Sequence, residues 1–313
     1  MVWSVSGPVA AGDLGITSAH DHLTIDIAGG PRLKAFSLPA DDSIVGEVAA
    51  FRAAGGGTLV DLTNECMGRN VQRMKEISDA TGVTVIASTG YYTKPLSPAV
   101  GDVHALVRHF VEELQVGIGG TEIRAGVIGE IGTGDTMPGQ WERLMFQAAA
   151  LAHVETDAAI ATHTFSGRYA RWQLDLLTSY GVAPKRISIG HIDESFAADG
   201  SPLSIDLIIE MADRGAYVAF DTVGNTLYSP FQERLEPSDH QRALAIVQLV
   251  DRGYQDHILL GQDVCHPLQL AANGGGGYAH IINSFIPMLR YLDVPMATIR
   301  KFLIQNPRRW LAG

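Results

Sequence analysis

The amino-acid sequence predicts an α/β fold: a (β/α)8 TIM barrel with a short N-terminal extended segment and a C-terminal closing helix. Three observations lead there. Short β-branched or apolar runs alternate with helical patterns along almost the whole chain, which is the mark of βα units on a parallel sheet. Eight such units follow one another with no Pro/Ser linker or charge block between them. The chain has 313 residues, and barrels of this kind form as one unit at roughly 250 residues or more, so residues 1–313 read as a single domain.

Strands are expected near Gly15 to His22, Gly57 to Leu62, Thr84 to Thr89, Ala125 to Ile131, Ala158 to His163, Arg186 to His191, Ala216 to Asp221 and Ile258 to Asp263. The segments between them carry apolar residues at helical spacing, as at Leu106, Phe110 and Leu114, or Ala243, Ile246, Val247 and Val250. Gly55, Gly82, Gly181, Gly215 and Gly253 stand shortly before the next strand, where a left-handed helix cap belongs. A last helix near Met296 to Gln305 should close the bottom, and the residues before His20 should form an extended segment or hairpin capping the barrel.

Composition narrows the function. Lys and Arg number 23 against 34 Asp and Glu, a formal charge of −11, which disfavours nucleic acid and anionic membranes. Apolar residues make up 46%, enough for a large core and too many for a disordered chain. Cys66 and Cys265 are the only cysteines, so no disulfide framework is expected. The N-terminus lacks a basic segment followed by an apolar one, and no stretch of about 18 residues is free of polar groups. The expected location is the cytoplasm.

No GxGxxG or P-loop follows an early strand, so nucleotide-cofactor chemistry has no local signature. The run Gly274 to Gly277 after the eighth strand reads first as a flexible loop and second as a lid or anion nest.

Chemistry in such barrels gathers where the strands end. Here the first strand ends in His20-Asp21-His22, the fourth in Glu130, the fifth in His163, the sixth in His191 and the eighth in Asp263. Residues i and i+2 of a strand share a face, so His20 and His22 can hold one metal while Asp21 turns outward. His163 and His191 can hold a second, with Glu130 and Asp263 adding oxygen ligands. Each residue alone has a plainer explanation: a core histidine with its bonds satisfied, a helix N-cap, or a pairing of Glu130 with Arg124. Five strand ends meeting on one rim favour two divalent ions about 3.5 to 4 Å apart, zinc by default, with cobalt, manganese or iron also compatible. Of the other histidines, His104, His109, His153, His240 and His257 read as surface groups, and His266 and His280 as loop residues that are not ligands.

These residues resemble the phosphotriesterase family of the amidohydrolase superfamily, and within it the phosphotriesterase-related, or phosphotriesterase homology protein, branch. The stretches that carry the resemblance are Ala19-His20-Asp21-His22-Leu23, Asp61-Leu62-Thr63-Asn64, Thr89-Gly90-Tyr91-Tyr92, Gly126 to Thr133, Ala161-Thr162-His163-Thr164 and Asn306-Pro307-Arg308-Arg309. The resemblance implies that His20, His22 and Asp263 bind the more buried metal, that His163 and His191 bind the more exposed one, and that Glu130 bridges them. Glu130 stands where many members carry a carboxylated lysine. Asp221 matches a supporting acid of the family, and Thr222 follows where other members carry Arg or His. Tyr92 resembles the tyrosine that leans over the metals of lactonase-like members. Tyr92, Asp221, Thr222 and Tyr228 are the expected substrate-binding positions, with Phe231, Arg234, Cys265 and His266 in the same loops.

The expected activity is binuclear metal-dependent hydrolysis. A hydroxide bridging two cations, its pKa lowered from about 15.7 to roughly 7, attacks an ester, lactone or amide carbonyl, or a phosphoester, and Asp263 takes the proton. The alternatives are a mononuclear deaminase-type amidohydrolase and a non-catalytic metal-binding barrel. A small-molecule substrate and a homodimer complete the expectation.

Overall fold

The structure, a computed structural model, describes residues 1–27, 36–39, 41–97, 101–195, 205–226, 228–229 and 234–313. It opens with an antiparallel hairpin, β1 (Val2–Ser4) and β2 (Gly7–Val9), in which the Ser4 hydroxyl donates to the Gly7 carbonyl at 2.7 Å. The barrel strands are β3 (Ile16–Asp21), β4 (Gly56–Asp61), β5 (Thr84–Thr89), β6 (Val127–Gly132), β7 (Ala159–His163), β8 (Ile187–Ile189) and β9 (Tyr217–Phe220). A short antiparallel ladder, β10 (Tyr228–Ser229) with β11 (Arg234–Leu235), intervenes before the last barrel strand, β12 (Ile258–Leu260). The eight barrel strands pair in parallel, each with its neighbour in the chain. The seam between β12 and β3 is drawn shut by the Gln262 and Asp263 amides, which donate to the His20 carbonyl at 3.1 and 3.0 Å.

Helices α1 (Ser43–Ala53), α2 (Val71–Thr81), α3 (Val103–Gln115), α4 (Gln140–Thr156), α5 (Ala170–Ser179), α6 (Ile205–Asp213) and α7 (Asp239–Asp251) connect the strands. Their ends follow local chemistry. Asn70 caps α2 by accepting the Arg73 amide, and Ser238 with Gln241 forms a reciprocal capping box on α7. All five expected glycine caps have positive φ, from 68° to 105°. After β12 the chain passes through a π-helical turn, Ile281–Phe285, into α8 (Ile286–Tyr291). No helix among the described residues is long and apolar enough to cross a membrane.

The closing helix is longer than expected. It runs as α9 (Met296–Arg300), a π-helical turn (Lys301–Gln305) and α10 (Asn306–Ala312). Pro307 lies in the first turn of α10, where its missing N–H costs nothing. Trp310 is thereby driven into the closed end of the barrel, fully buried among Val60, Val127, Ala159, Tyr217 and Leu259. This apolar plug fills one end and leaves the other to polar groups.

Candidate metal centre

At the open end the strands deliver their last side chains to a common point. His22 Nε2 lies 3.0 Å from Asp263 Oδ1, and His20 Nε2 lies 3.7 Å from both Asp263 Oδ1 and Glu130 Oε2. Glu130 Oε2 stands 3.2 Å from His163 Nδ1 and 3.4 Å from His191 Nε2, and Oε1 stands 3.7 Å from His22 Nε2. Glu130 therefore faces all four imidazoles. Val127 belongs to the inner plug, so strict alternation along β6 would turn Glu130 outward. A register irregularity between Ile128 and Ile131 turns it inward instead. Asp21 points away from this cluster and accepts the Val264 amide at 3.2 Å, with burial pushing its carboxyl up to about 7.

A second layer fixes the rings. Asp221 Oδ2 is 2.9 Å from His20 Nδ1, while Oδ1 accepts the His191 amide at 2.8 Å and lies 3.1 Å from His191 Nδ1. Thr63 Oγ1 meets His22 Nδ1 at 2.9 Å, and the Thr63 amide is held in turn by Asp61. Asn64 donates to the Glu130 carbonyl at 3.0 Å. The charges follow from this packing. Burial opposes the charged forms of Glu130 and Asp221, but the imidazoles outweigh it and hold both carboxyls below their ordinary range. Burial likewise opposes protonation of His20 and His191, and the facing carboxylates raise both well above the usual imidazole value. Burial dominates at His163, which is lowered.

The set fits divalent cations. Bonds of about 2.1 Å to nitrogen and oxygen at tetrahedral angles place ligand atoms roughly 3.4 Å apart, close to the spacings above. His20 Nε2 is buried without a hydrogen-bond partner among the described residues, so its lone pair or proton is not used by the protein. Ligand atoms of His20, His22 and Asp263, and again of His20, Glu130 and His191, lie within 4.8 Å of one another.

Tyr92, just beyond β5, places its phenol oxygen 3.2 Å from His163 Nε2, its ring edge-on at 4.6 Å between centroids. Burial, with the charges of Glu130 and Asp263, raises that phenol well above its ordinary value, so it stays protonated. The structure gives Asp221 and Thr222 a supporting place rather than the substrate-contacting one expected from sequence. Asp221 is enclosed by the imidazoles it orients, and the fully buried Thr222 hydroxyl is shared between Asp193 at 2.8 Å and Arg242 at 2.6 Å. Phe231 lies outside the described residues, and Tyr228 and Arg234 are described by their backbone alone. Cys66 and Cys265 are both free thiols.

Three of the four glycines in the run are packed close, while Gly274 faces open space. A Cβ on Gly275 would meet the Gln269 carbonyl at 2.3 Å, one on Gly276 the His280 ring at 2.2 Å, and one on Gly277 the Glu47 carboxylate at 2.3 Å. His280 bonds Asp239 at 2.6 Å, and His266 accepts the Leu268 amide at 3.0 Å. Of the five histidines expected on the surface, His104 and His240 are exposed and His109 and His257 half-buried. His153 is buried, because its Nδ1 pairs with the Ala158 carbonyl at 2.7 Å. Sequence reasoning missed Asp193 and Arg242, a fully buried ion pair at 2.8 Å beneath the loop that follows β9. Nothing in a lone Asp and a helical Arg marks them.

Known proteins resemble this chain in sequence and fold. The model of the phosphotriesterase family matches residues 1–311. The chain is 36% identical over 299 residues to the phosphotriesterase homology protein of Escherichia coli, covering 95% of this chain and 97% of that one. The crystal structure of that protein, complexed with phosphate in its active site, superposes with a TM-score of 0.87 at 35% identity, over 96% of this chain and 99% of that one. The N-acetyltaurine hydrolase of Danio rerio is 30% identical over 348 residues, covering 99% of this chain and 97% of that one. A lactonase from Listeria monocytogenes superposes with a TM-score of 0.85 at 26% identity, over 99% of this chain and 98% of that one. With a match of that extent, on a barrel whose rim gathers these imidazoles and carboxylates, the chain belongs to the phosphotriesterase family.

Proposed function

We propose that this protein is a binuclear metal-dependent hydrolase that cleaves a carboxylic ester, lactone or N-acyl amide, with the metal ions held by His20, His22, Glu130, His163, His191 and Asp263. One observation carries the reading: six ligand-type side chains from five strand ends converge on one point, with Glu130 facing all four imidazoles. Bound divalent ions, zinc by default, would supply an acidified water and polarise the scissile carbonyl. The chain's residues do the rest. Asp263, whose side chain is 15% exposed against 7% or less for the other five, is the member of the set able to exchange a proton with the cavity. The protonated Tyr92 phenol beside His163 is placed to donate to a carbonyl oxygen. Relatives named as an N-acetyltaurine hydrolase and a lactonase support an amide or ester over a phosphotriester. The substrate is a small molecule.

The test is a panel of lactones, aryl esters, N-acyl amino acids and N-acyl aminosulfonates, assayed with the zinc- or manganese-loaded protein alongside its metal content. Turnover of at least one member with about two ions per chain bound at the barrel mouth is expected, and Asp263→Asn should lower it by about 10²- to 10⁴-fold while leaving the far-UV circular dichroism unchanged. One ion at the mouth would point to the mononuclear alternative. Parent-like activity in Asp263→Asn would remove Asp263 as the proton acceptor.

A further inference from the structure

Between the turn that follows β4 and helix α3, three more ligand-type side chains meet. Glu65 comes from the 3-10 turn after β4 (Glu65–Met67), and His109 and Glu113 lie one helical turn apart on α3. His109 Nε2 is 3.2 Å from Glu65 Oε2 and 3.8 Å from Glu113 Oε1, and the three ligand atoms lie within 4.8 Å of one another. His109 Nε2 is itself shielded from solvent, yet it makes no hydrogen bond of good geometry to either carboxylate. The nitrogen lies nearest Glu65, whose carboxylate raises the imidazole above its usual value, and within reach of Glu113.

We propose that Glu65, His109 and Glu113 form a further divalent-cation site, separate from the centre at the barrel mouth. One imidazole and two carboxylates suit zinc or manganese, and the spacings of 3.2 and 3.8 Å bracket the roughly 3.4 Å edge of a tetrahedral site. Each carboxylate has an outer partner that fixes it, as metal ligands generally do. Arg69 grips Glu113 with two bonds, at 2.5 and 2.8 Å, and the Tyr91 phenol donates to Glu65 at 3.2 Å. Tyr91 also stacks on His109 with centroids 5.7 Å apart. Two carboxylates against one guanidinium leave one negative charge, and a divalent ion turns this into one positive charge. The ion would pin the turn after β4 and the segment carrying Tyr91 and Tyr92 to α3. Three protein ligands leave a position for water, so the site fits a positioning ion.

Zinc is the probe, and the readout does not depend on the activity proposed above. Chelator-stripped full-length protein is reloaded with zinc, desalted and counted by elemental analysis, beside His109→Ala and Glu65→Gln. Glu65 is exposed and His109 half-exposed, so both variants should fold, as circular dichroism would check. The expected result is one equivalent of zinc fewer per chain in each variant, with the equivalents at the mouth retained. Anomalous scattering at the zinc edge should place a peak between His109 Nε2 and the two carboxylates in the parent only. Equal zinc content in parent and variants, or a parent crystal with no peak at this position, would overturn the proposal. Loss of zinc from the mouth alone would count against the centre proposed there and leave this site standing.

Discussion

Asp221 spends one oxygen on His20 and the other on His191, neighbouring imidazoles delivered by β3 and by the turn after β8. A carboxylate in that place selects which ring nitrogen faces inward, because each Nδ1 is occupied and each Nε2 is left to the cavity. Asp221→Asn keeps the size and removes the charge, and its amide nitrogen would confront a ring N–H. Zinc affinity should fall by about 10- to 100-fold, read by competition with a chromophoric chelator. An affinity equal to the parent's would mean the two rings are oriented by packing alone. Thr63 at His22 belongs to the same layer with a neutral acceptor, so its loss should have the smaller effect.

The loops after β9 and β12 are tied to each other by Asp239, which accepts the Gly224 amide at 2.8 Å and pairs with His280 at 2.6 Å. Burial opposes ionisation of Asp239, but His280, the Gly224 amide and Arg242 outweigh it and hold the carboxyl below its usual value. A carboxyl depressed in the folded state stabilises above its unfolded value near 3.9 and loses that contribution as pH falls through the lower folded value. Urea midpoints between pH 6 and pH 3 should therefore drop further in the parent than in Asp239→Asn, by an amount equivalent to at most about 1 kcal/mol, since pH 3 lies only about one unit below the unfolded value. Parallel curves would show that Asp239 does not contribute to acid sensitivity. Such ties were beyond the sequence. The strand ends were legible because imidazoles and acids recur at the close of apolar runs, where side-chain direction follows from a period of two. Glu130 was expected there from its place at a strand end and from the resemblance, while the irregularity in β6 that turns it inward has no sequence signal. The burial of His153 or Thr222 was not legible, nor was the meeting of Glu65 with His109 across 44 residues, because helix-to-loop contacts carry no periodic signal.

At the scale of the whole molecule, the closed end is sealed by helix α10. Trp310 contributes a fully buried ring to the inner plug and its Nε1 donates to the Ile160 carbonyl at 3.3 Å, while Arg186 donates to the Trp310 carbonyl at 2.6 Å. Replacing the indole by alanine would leave a cavity no neighbouring side chain can fill, at a cost of about 3 to 5 kcal/mol. Trp310→Ala should therefore unfold at markedly lower temperature, as scanning calorimetry of the metal-stripped protein would measure. A shift of under two degrees would show that α10 is peripheral to stability. At the opposite end, His20 lends its carbonyl to the amides that close the seam and its ring to the cavity. Residues 258–263 thus shut the cylinder and deliver Asp263 to the ligand cluster together, so a substitution that undocks this strand should open the seam and take one ligand away in a single event.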